Sequence, residues 1–228
     1  MQGMSSFPIN INLVGRQIVV IGGSGVAEWK IHKLLEAGAQ VIVIAPRLSE
    51  NLIKLRDDGF IRHLERCYID GDLKGKFLAI SATNDKNVNI AVAREAKLNS
   101  ILADICDNPE LSSFTMPAVM TRGDLSIAVS TGGKSPAMAK KIRENLEELF
   151  GPEYALVIKL FGILREKLLT PQADNAYNKK LLSRLASHDL PRLIRERQYD
   201  KLDQIILSIF GFELSSRNLL ALSEKDLK

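Results

Sequence analysis

Near its start the chain has an apolar segment that breaks into small residues, a pattern typical of a nucleotide-binding turn. The apolar run 18–21 is followed by glycines, and helical spacing resumes after Ala27. A strand, a tight turn and a helix in this order bring backbone N–H groups and the positive end of a helix dipole to one point, where a dinucleotide pyrophosphate can bind. In the best register, Gly22-x-Ser24-x-x-Ala27, serine stands at the second glycine position. The predicted cofactor-binding residues of the turn are Gly22, Gly23, Ser24, Gly25, Val26 and Ala27.

Three further polar or charged positions follow predicted strands. They are Pro46-Arg47, Thr83-Asn84 and Asp107. Because the carboxyl ends of parallel strands meet at one edge of a sheet, we expect all of them beside the glycine turn. Nicotinamide enzymes usually carry an acidic residue for the adenine ribose at the position of Pro46 and Arg47. Its replacement leaves the choice between NAD and NADP open, since an arginine can accept a 2′-phosphate.

A second group of candidate residues lies between 125 and 143, where no acidic residue occurs. Basic side chains accumulate at its end: Lys134, Lys140, Lys141 and Arg143. No interleaved aromatic residues or nucleic-acid recognition motif accompany them, so we expect no nucleic acid and favour an anionic small molecule. Ser135 and Pro136 suit the N-cap and the first position of a helix.

The elements that must position these residues follow from the spacing of apolar side chains. As far as Asp107, strand-sized apolar runs alternate with helical spacing, which predicts an α/β domain with a Rossmann-like parallel sheet. Past Pro109 we expect a short hairpin with its turn at 121–124, then a helix. From about Pro152 the spacing is helical, with three to five helices and a weakly defined tail after Leu222. These patterns predict three parts, 1–113, 114–150 and 151–228.

Composition excludes several other classes of protein. No apolar run approaches the length of a transmembrane helix, and residues 1–12 lack the basic start and apolar core of a secretory signal. Cys67 and Cys106 lack metal-ligand spacing, which favours buried free thiols in a reducing compartment. The three histidines also lack such spacing, so metal ligands remain unknown. We expect a cytoplasmic protein without membrane contact.

Several stretches follow one another in the order of one known family. They are 20–30, 79–85, 107–109, 114–118, 122–125 and the Ser-Thr-Gly-Gly-Lys-Ser-Pro segment within 127–136. Together they resemble the siroheme synthase N-terminal family, which comprises precorrin-2 dehydrogenases with or without sirohydrochlorin ferrochelatase activity. The resemblance covers about residues 8–150. Two positions depart from it, because Ser24 replaces the usual middle glycine and Trp29 the usual arginine.

The resemblance implies an NAD-dependent oxidoreductase of siroheme and porphyrin biosynthesis. Its reaction would oxidise precorrin-2 to sirohydrochlorin, and a bifunctional member would also act as a lyase that inserts ferrous iron. A hydride and a proton leave the substrate, and Asp107 matches the family's catalytic aspartate, a general base. The implied substrate-binding residues are Ser130, Thr131, Gly132, Lys134, Ser135, Lys140 and Arg143.

The resemblance also implies how the predicted parts are used. An NAD-binding domain at 1–113 would be followed by a dimerisation and tetrapyrrole-binding region at 114–150 and a helical domain at 151–228. The protein would then be a homodimer, with the tetrapyrrole in a cleft between its domains.

Simpler interpretations stay open beside these. Asp107 would then only begin an Asp-Asn-Pro turn, and the glycines at 132 and 133 would only supply turn geometry. An alternative of another class is a nucleotide-sensing Rossmann regulatory module without turnover. Such a module has no use for the segment 130–136, which therefore favours the enzyme. Chelation itself, and iron against cobalt, are left open by the sequence.

Overall fold

The computed structural model describes residues 7–168 and 175–221, and the chain divides into two units between Met116 and Pro117. The first unit holds a parallel sheet flanked by helices. Its strands are β1 (Gln17–Ile21), β2 (Gln40–Ile44), β3 (Ile61–Leu64), β4 (Leu78–Ser81) and β5 (Leu102–Ile105). Its helices are α1 (Gly25–Glu36), α2 (Glu50–Asp57) and α3 (Lys86–Leu98), with a 3₁₀ turn at Pro109–Leu111. The strand order is β3-β2-β1-β4-β5, all pairs being parallel, which confirms the expected Rossmann-like architecture.

The sheet of the first unit is buried on both faces. Successive side chains of β1 point to opposite sides, so Val20 lies in one core with Ile31 of α1 and Leu52 of α2, while Val19 lies in another with Val92 of α3. Each fully buried side chain of this kind stabilises the fold by about 1.5–3 kcal/mol. The direction in which strands are added reverses between β1 and β4, and the crevice at such a point is the usual ligand site of an open α/β sheet.

Local sequence explains where the helices begin and end. Asp85 caps α3, its side chain accepting from the N–H groups of Asn87 and Val88, and Ser49 caps α2. Gly38, with φ of 76°, follows α1 in the left-handed conformation that glycine favours. These caps fix the loops at the carboxyl edge of the sheet.

The second unit begins with an antiparallel hairpin of β6 (Ala118–Arg122) and β7 (Leu125–Val129), followed by α4 (Pro136–Leu149). Arg122 ties the hairpin to the end of α4 by donating to the carbonyl oxygens of Phe150 and Glu147, at 2.9 and 3.2 Å. The remaining helices are α5 (Glu153–Leu168), α6 (Asn175–Ala186), α7 (Leu190–Arg195), α8 (Tyr199–Phe210) and α9 (Ser216–Ala221). They enclose a core that includes Leu160, Leu185 and Ile206.

The small antiparallel sheet and the helical C-terminal part are therefore confirmed. The separate division at residue 150 stays a prediction, and the expected tail after Leu222 lies outside the described residues. None of the helices within 7–168 and 175–221 is both long and apolar enough to cross a membrane. Both cysteines are free, but the expectation that both are buried is wrong for Cys67, which lies in the loop after β3 and is exposed.

Candidate active site

The glycine turn after β1 fits tightly between the chain segments that leave β2 and β4. Gly22 has φ of 117°, and its N–H donates to the carbonyl oxygen of Ile44 at 2.9 Å. A Cβ at Gly22 would overlap the carbonyl oxygen of Ala82, and one at Gly23 would overlap that of Arg47. Glycine is therefore required at both positions by the packing of the backbone itself.

The first turn of α1 has the free donors that a pyrophosphate needs. Ser24 stands at the N-cap but makes no side-chain cap, so the N–H groups that begin the helix keep their hydrogen-bonding capacity. A Cβ at Gly25 would meet nothing within 4 Å, and Val26 is exposed. The space and the donors fit the phosphates of a dinucleotide. Ser24 itself has φ of −99°, so its conformation does not call for glycine.

A pocket of about 300 Å³ lies at the carboxyl ends of β2 and β3, where the adenine ribose of a dinucleotide is expected. Its lining residues are Pro46, Arg47, Leu48, Ile53, Arg56, His63 and Glu65. Arg56 pairs with Asp57 at 2.8 Å. Among the described residues, Arg47 and Glu65 are the charged lining residues that form no ion pair. The pocket thus offers both a cation and a carboxylate to a ribose.

Asp107 follows β5, and its carboxylate is tied to a buried asparagine of α3. The side-chain amide of Asn89 donates to Oδ1 of Asp107 at 2.7 Å and to the carbonyl oxygen of Thr83 at 3.1 Å. The amide oxygen of Asn89 accepts from the hydroxyl of Ser81 at 2.6 Å. Asn89 and Ser81 are buried, whereas Asp107 is exposed. The Asp107 carboxylate is therefore accessible to solvent and is also hydrogen-bonded to a buried side chain.

Contacts join this carboxylate to the glycine turn. A Cβ at Gly22 would lie 3.4 Å from the backbone nitrogen of Thr83, whose carbonyl oxygen shares Asn89 with Asp107. Asn84 is exposed at the next position of the same loop. The structure thus brings the turn, Thr83 and Asp107 together at one edge of the sheet.

A buried ion pair lies between α1 and β5. Nζ of Lys30 lies 2.5 Å from Oδ2 of Asp104 and 3.8 Å from the sulfur of Met116. The nearby thiol of Cys106 is half-buried, and this burial raises its pKa, which the charge of Lys30 opposes. The pair locks α1, whose first turn faces the cofactor region, to the strand that precedes Asp107.

Neither of these buried polar clusters was predicted from the sequence. Asn89 and Lys30 occupy the buried faces of their helices, among apolar residues at helical spacing. A polar residue at such a position was the available signal, because it needs a buried partner. Their partners, Ser81 and Asp104, lie within β4 and β5, whose other residues are apolar, so the sequence does not show which helix each polar side chain meets.

In the second unit, the Thr-Gly-Gly turn before α4 is closed by its own hydroxyl groups. Oγ of Ser130 accepts from the N–H of Gly132 at 3.2 Å, and Oγ1 of Thr131 accepts from the N–H of Ser135 at 3.1 Å. Gly132 and Gly133 have φ of 61° and 78°, so a left-handed turn explains both glycines. Ser135 caps α4, as its sequence position predicts.

The basic side chains near this turn are held to different degrees. Lys134 is exposed, and Lys140 is 3.9 Å from Glu144. Arg143 is largely covered and pairs with Glu147 and Glu144. The cofactor and catalytic candidates thus lie in the first unit and the substrate-binding candidates in the second. Within the described part of the chain, no three His, Cys, Asp or Glu side chains group as metal ligands would.

Family models match both units. Residues 9–118 match a family described as "Putative NAD(P)-binding", and residues 122–149 match the sirohaem biosynthesis protein central family. The chain belongs to the siroheme synthase N-terminal family. Membership agrees with the glycine turn, which the first model covers, and with β7 and α4, which the second model covers.

Relatives and a solved structure agree with this family. Siroheme synthase 3 of Aeromonas hydrophila is 34% identical over 93% of this chain, and siroheme synthase of Methylobacillus flagellatus is 37% identical over 72%. The chain spans less than half the length of these relatives, 46% and 35%. A solved structure of SirC, precorrin-2 dehydrogenase, superposes with a TM-score of 0.73 at 28% identity, covering 88% of this chain and 98% of that one.

Proposed function

We propose that the protein oxidises precorrin-2 to sirohydrochlorin and that Asp107 is its catalytic base. Bound NAD supplies the hydride acceptor. Family membership and the SirC structure support the reaction. The single observation that carries the residue assignment is the accessible carboxylate of Asp107, tied through Asn89 to the loop beside the glycine turn. A base at this edge can take the proton that leaves the substrate with the hydride.

The proposed substrate-binding residues suit a polycarboxylate. Exposed Lys134 and Lys140 can pair with its carboxylates, whereas Arg143 would bind one by exchanging its ion pairs with Glu144 and Glu147. The hydroxyls of Ser130 and Thr131 use their lone pairs within the turn and keep their protons for donation. These side chains would bind and orient the substrate, with no part in proton transfer.

The decisive experiment incubates the protein with precorrin-2 and NAD and follows absorbance. We expect sirohydrochlorin to form. Asp107→Ala should lower turnover by about 10²–10⁴-fold while NAD binding is retained, since it removes only the base. Asp107→Asn is the matched control for shape, because its oxygen can still accept from Asn89. Unchanged turnover in both variants would remove Asp107 from the mechanism.

Two further outcomes of this experiment separate the alternatives. NAD binding without any turnover would favour the nucleotide-sensing module. Ferrous iron, added as substrate of the chelation that the family implies, would give siroheme if the protein is bifunctional, whereas a dehydrogenase alone would stop at sirohydrochlorin.

We propose NAD rather than NADP as the cofactor. The support is Glu65, which lines the same pocket as Arg47 and supplies the carboxylate that the end of β2 lacks. A carboxylate accepts hydrogen bonds from ribose hydroxyls and repels a 2′-phosphate. The test measures the dissociation constants for NAD and NADP. Glu65→Ala should reduce the factor by which NAD binds more tightly than NADP, and Arg47→Ala should increase this factor. A preference that neither variant moves would contradict the assignment.

We also propose a homodimer that forms through α4. Met138, Ile142 and Leu149 of this helix are 54%, 38% and 67% exposed, although the sequence gives them the spacing of one apolar face. Ile142→Glu should convert a dimer to monomers in light scattering. Leu98→Glu, at an exposed apolar site in the first unit, is the control and should leave the mass unchanged.

A further inference from the structure

We infer that Asn89 is a positioning residue, which with Ser81 fixes the Asp107 carboxylate so that one defined oxygen receives the proton. The inference rests on the proposed function for its catalytic part. It concerns Asn89, which lies outside the stretches that carry the family resemblance. Its basis is the hydrogen-bond chain from Ser81 through Asn89 to Asp107.

The chemistry of the partners determines how the Asn89 amide is oriented. The carbonyl oxygen of Thr83 and the ionised carboxylate of Asp107 can only accept, so the amide nitrogen must face both. The amide oxygen must then face the hydroxyl of Ser81, which can donate. Both N–H bonds of the amide are used, at 3.1 and 2.7 Å.

Burial makes this orientation difficult to change. Asn89 is 2% exposed and Ser81 is fully buried. Turning the amide over would bring its oxygen against two acceptors, so that the Thr83 carbonyl oxygen and the Asp107 carboxylate would both lose their donor. A buried donor or acceptor without a partner costs about 1–3 kcal/mol. Asn89 therefore presents one fixed N–H group to the exposed edge where Asp107 lies.

The consequence for Asp107 is a difference between its two oxygens. Oδ1 accepts from Asn89, whereas Oδ2 accepts from none of the residues that the structure describes. The Asn89 N–H group takes one lone pair of Oδ1, whereas both lone pairs of Oδ2 are open to a proton. The substrate proton is therefore received at Oδ2, whose direction follows once Oδ1 is fixed. Misplacing a reacting group by an ångström can lower a rate by about 100-fold.

A purely structural role predicts something different. If Asn89 only joins α3 to β4 and β5, its loss lowers stability, and the reaction of the molecules that stay folded is unaffected. A positioning role lowers kcat while KM and cofactor affinity stay close to those of the wild type, because the base acts after binding. The ratio of these effects separates the two roles.

The test compares Asn89→Leu, of similar size but without hydrogen bonds, with Val92→Ala on the same buried face of α3. For Asn89→Leu we expect kcat for precorrin-2 to fall roughly 10–100-fold, with KM and the NAD dissociation constant within about two-fold. Val92→Ala should lose stability and keep kcat. If Asn89→Leu does not fold, Ser81→Ala provides the same test, with a smaller fall in kcat. A folded variant with wild-type kcat overturns the inference.

A double variant of Asn89→Leu and Asp107→Ala shows whether Asn89 affects kcat through Asp107. If Asn89 acts through Asp107, the double variant is no slower than Asp107→Ala alone, whereas multiplied losses overturn the inference. If wild-type protein does not oxidise precorrin-2, the proposed function fails, and the contact is judged by melting temperature. If the decreases in melting temperature of Asn89→Leu and Asp107→Ala simply add in the double variant, the inference is overturned. A double variant that loses less than this sum would support the fixed carboxylate.

Discussion

The candidate residues of the first unit and those of the second are held in different ways. At the edge of the first sheet, the candidate positions rest on buried partners, as Asp107 does on Asn89 and the glycine turn does on the backbone that follows β2 and β4. In the second unit, the turn before α4 is closed by local hydroxyl bonds, and Lys134 and Lys140 extend from an exposed surface.

The difference has an energetic meaning. A group fixed by buried bonds is already in place when a ligand arrives, so little ordering remains to oppose binding. Long exposed side chains lose rotamer freedom when they bind, about 0.5–1.5 kcal/mol each. The first unit is thus built for fixed geometry at the reacting atoms, and the second is suited to adapt to a large flexible anion. Substitutions should therefore lower stability mainly in the first unit and lower affinity mainly in the second.

The largest effect is expected at the buried ion pair of the first unit. Lys30→Met leaves Asp104 as a buried charge without its partner, which should cost about 3–5 kcal/mol. Urea unfolding followed by the fluorescence of Trp29, the single tryptophan, measures the stability of this unit. Lys33→Met is the control on the same helix, since Lys33 pairs with Glu36 at the surface, and should cost about 1 kcal/mol or less.

A second substitution checks the reason for this loss. Replacing both partners, as in Lys30→Met with Asp104→Leu, removes the charge that the single change leaves buried. Stability should recover most of the way to wild type. A double variant as unstable as Lys30→Met alone would show that the pair contributes through packing.

Much of this architecture could be predicted from the sequence, and the reason is visible in particular residues. The apolar runs of β1 and β2, the glycines at 22 and 38 and the Ser-Pro start of α4 each reflect local chemistry, so the element order followed directly. Polar partners across the fold could not be found in this way. Asn89 gives no sign of which strand it meets, because Ser81 and Asp107 become its neighbours only when β4 and β5 pair.

The exposure of α4 could not be predicted for a related reason. The spacing of Met138 and Ile142 indicates an apolar face, but spacing does not say whether that face is covered within one chain. In the structure both residues are exposed. The sequence therefore indicates an apolar face but not whether this chain covers it.

The next largest effect separates the two kinds of glycine within the turn. Gly23→Ala places a Cβ against the carbonyl oxygen of Arg47 and should destabilise the first unit by about 1–3 kcal/mol. Gly25→Ala meets nothing in the protein, so stability should change by about 0.5 kcal/mol or less, while NAD binding weakens because the methyl group occupies the phosphate region. Equal loss of stability in both variants would contradict the tight fit of Gly23.

The second unit should show the opposite division between stability and affinity. Arg143→Ala removes two partly exposed ion pairs of one helix and should cost about 1 kcal/mol or less. Combined with Lys134→Ala, Arg143→Ala should raise KM for the tetrapyrrole several-fold. The value of kcat should stay near that of the wild type, because these side chains are proposed to bind the substrate. Lys141→Ala is the matched control on α4. A fall in kcat alone would move the basic residues from binding into catalysis.

The smallest effect concerns the hydrogen bonds that attach α1 to the loop after β2. The carboxylate of Glu28 accepts from the hydroxyl of Ser49 and from the amide of Asn51, both at 2.7 Å, and these bonds lower its pKa below the ordinary value of 4.5. The N–H of Ser49 in turn donates to the carbonyl oxygen of Gly23 at 2.8 Å. Glu28 thus supports the turn from outside the buried core.

Because the folded-state pKa of Glu28 is lowered, its contribution to stability is present above the ordinary pKa and is lost as pH falls through the folded-state value. Glu28→Gln should therefore lower the free energy of unfolding near neutral pH by about 0.5 kcal/mol or less, and the difference from wild type should shrink below about pH 4.5. Glu36→Gln, at an exposed pair on the same helix, controls for the loss of charge. A difference that stays constant with pH would mean that the carboxylate form of Glu28 is not what attaches the loop, and the fixed geometry of the turn would then rest on its buried contacts alone.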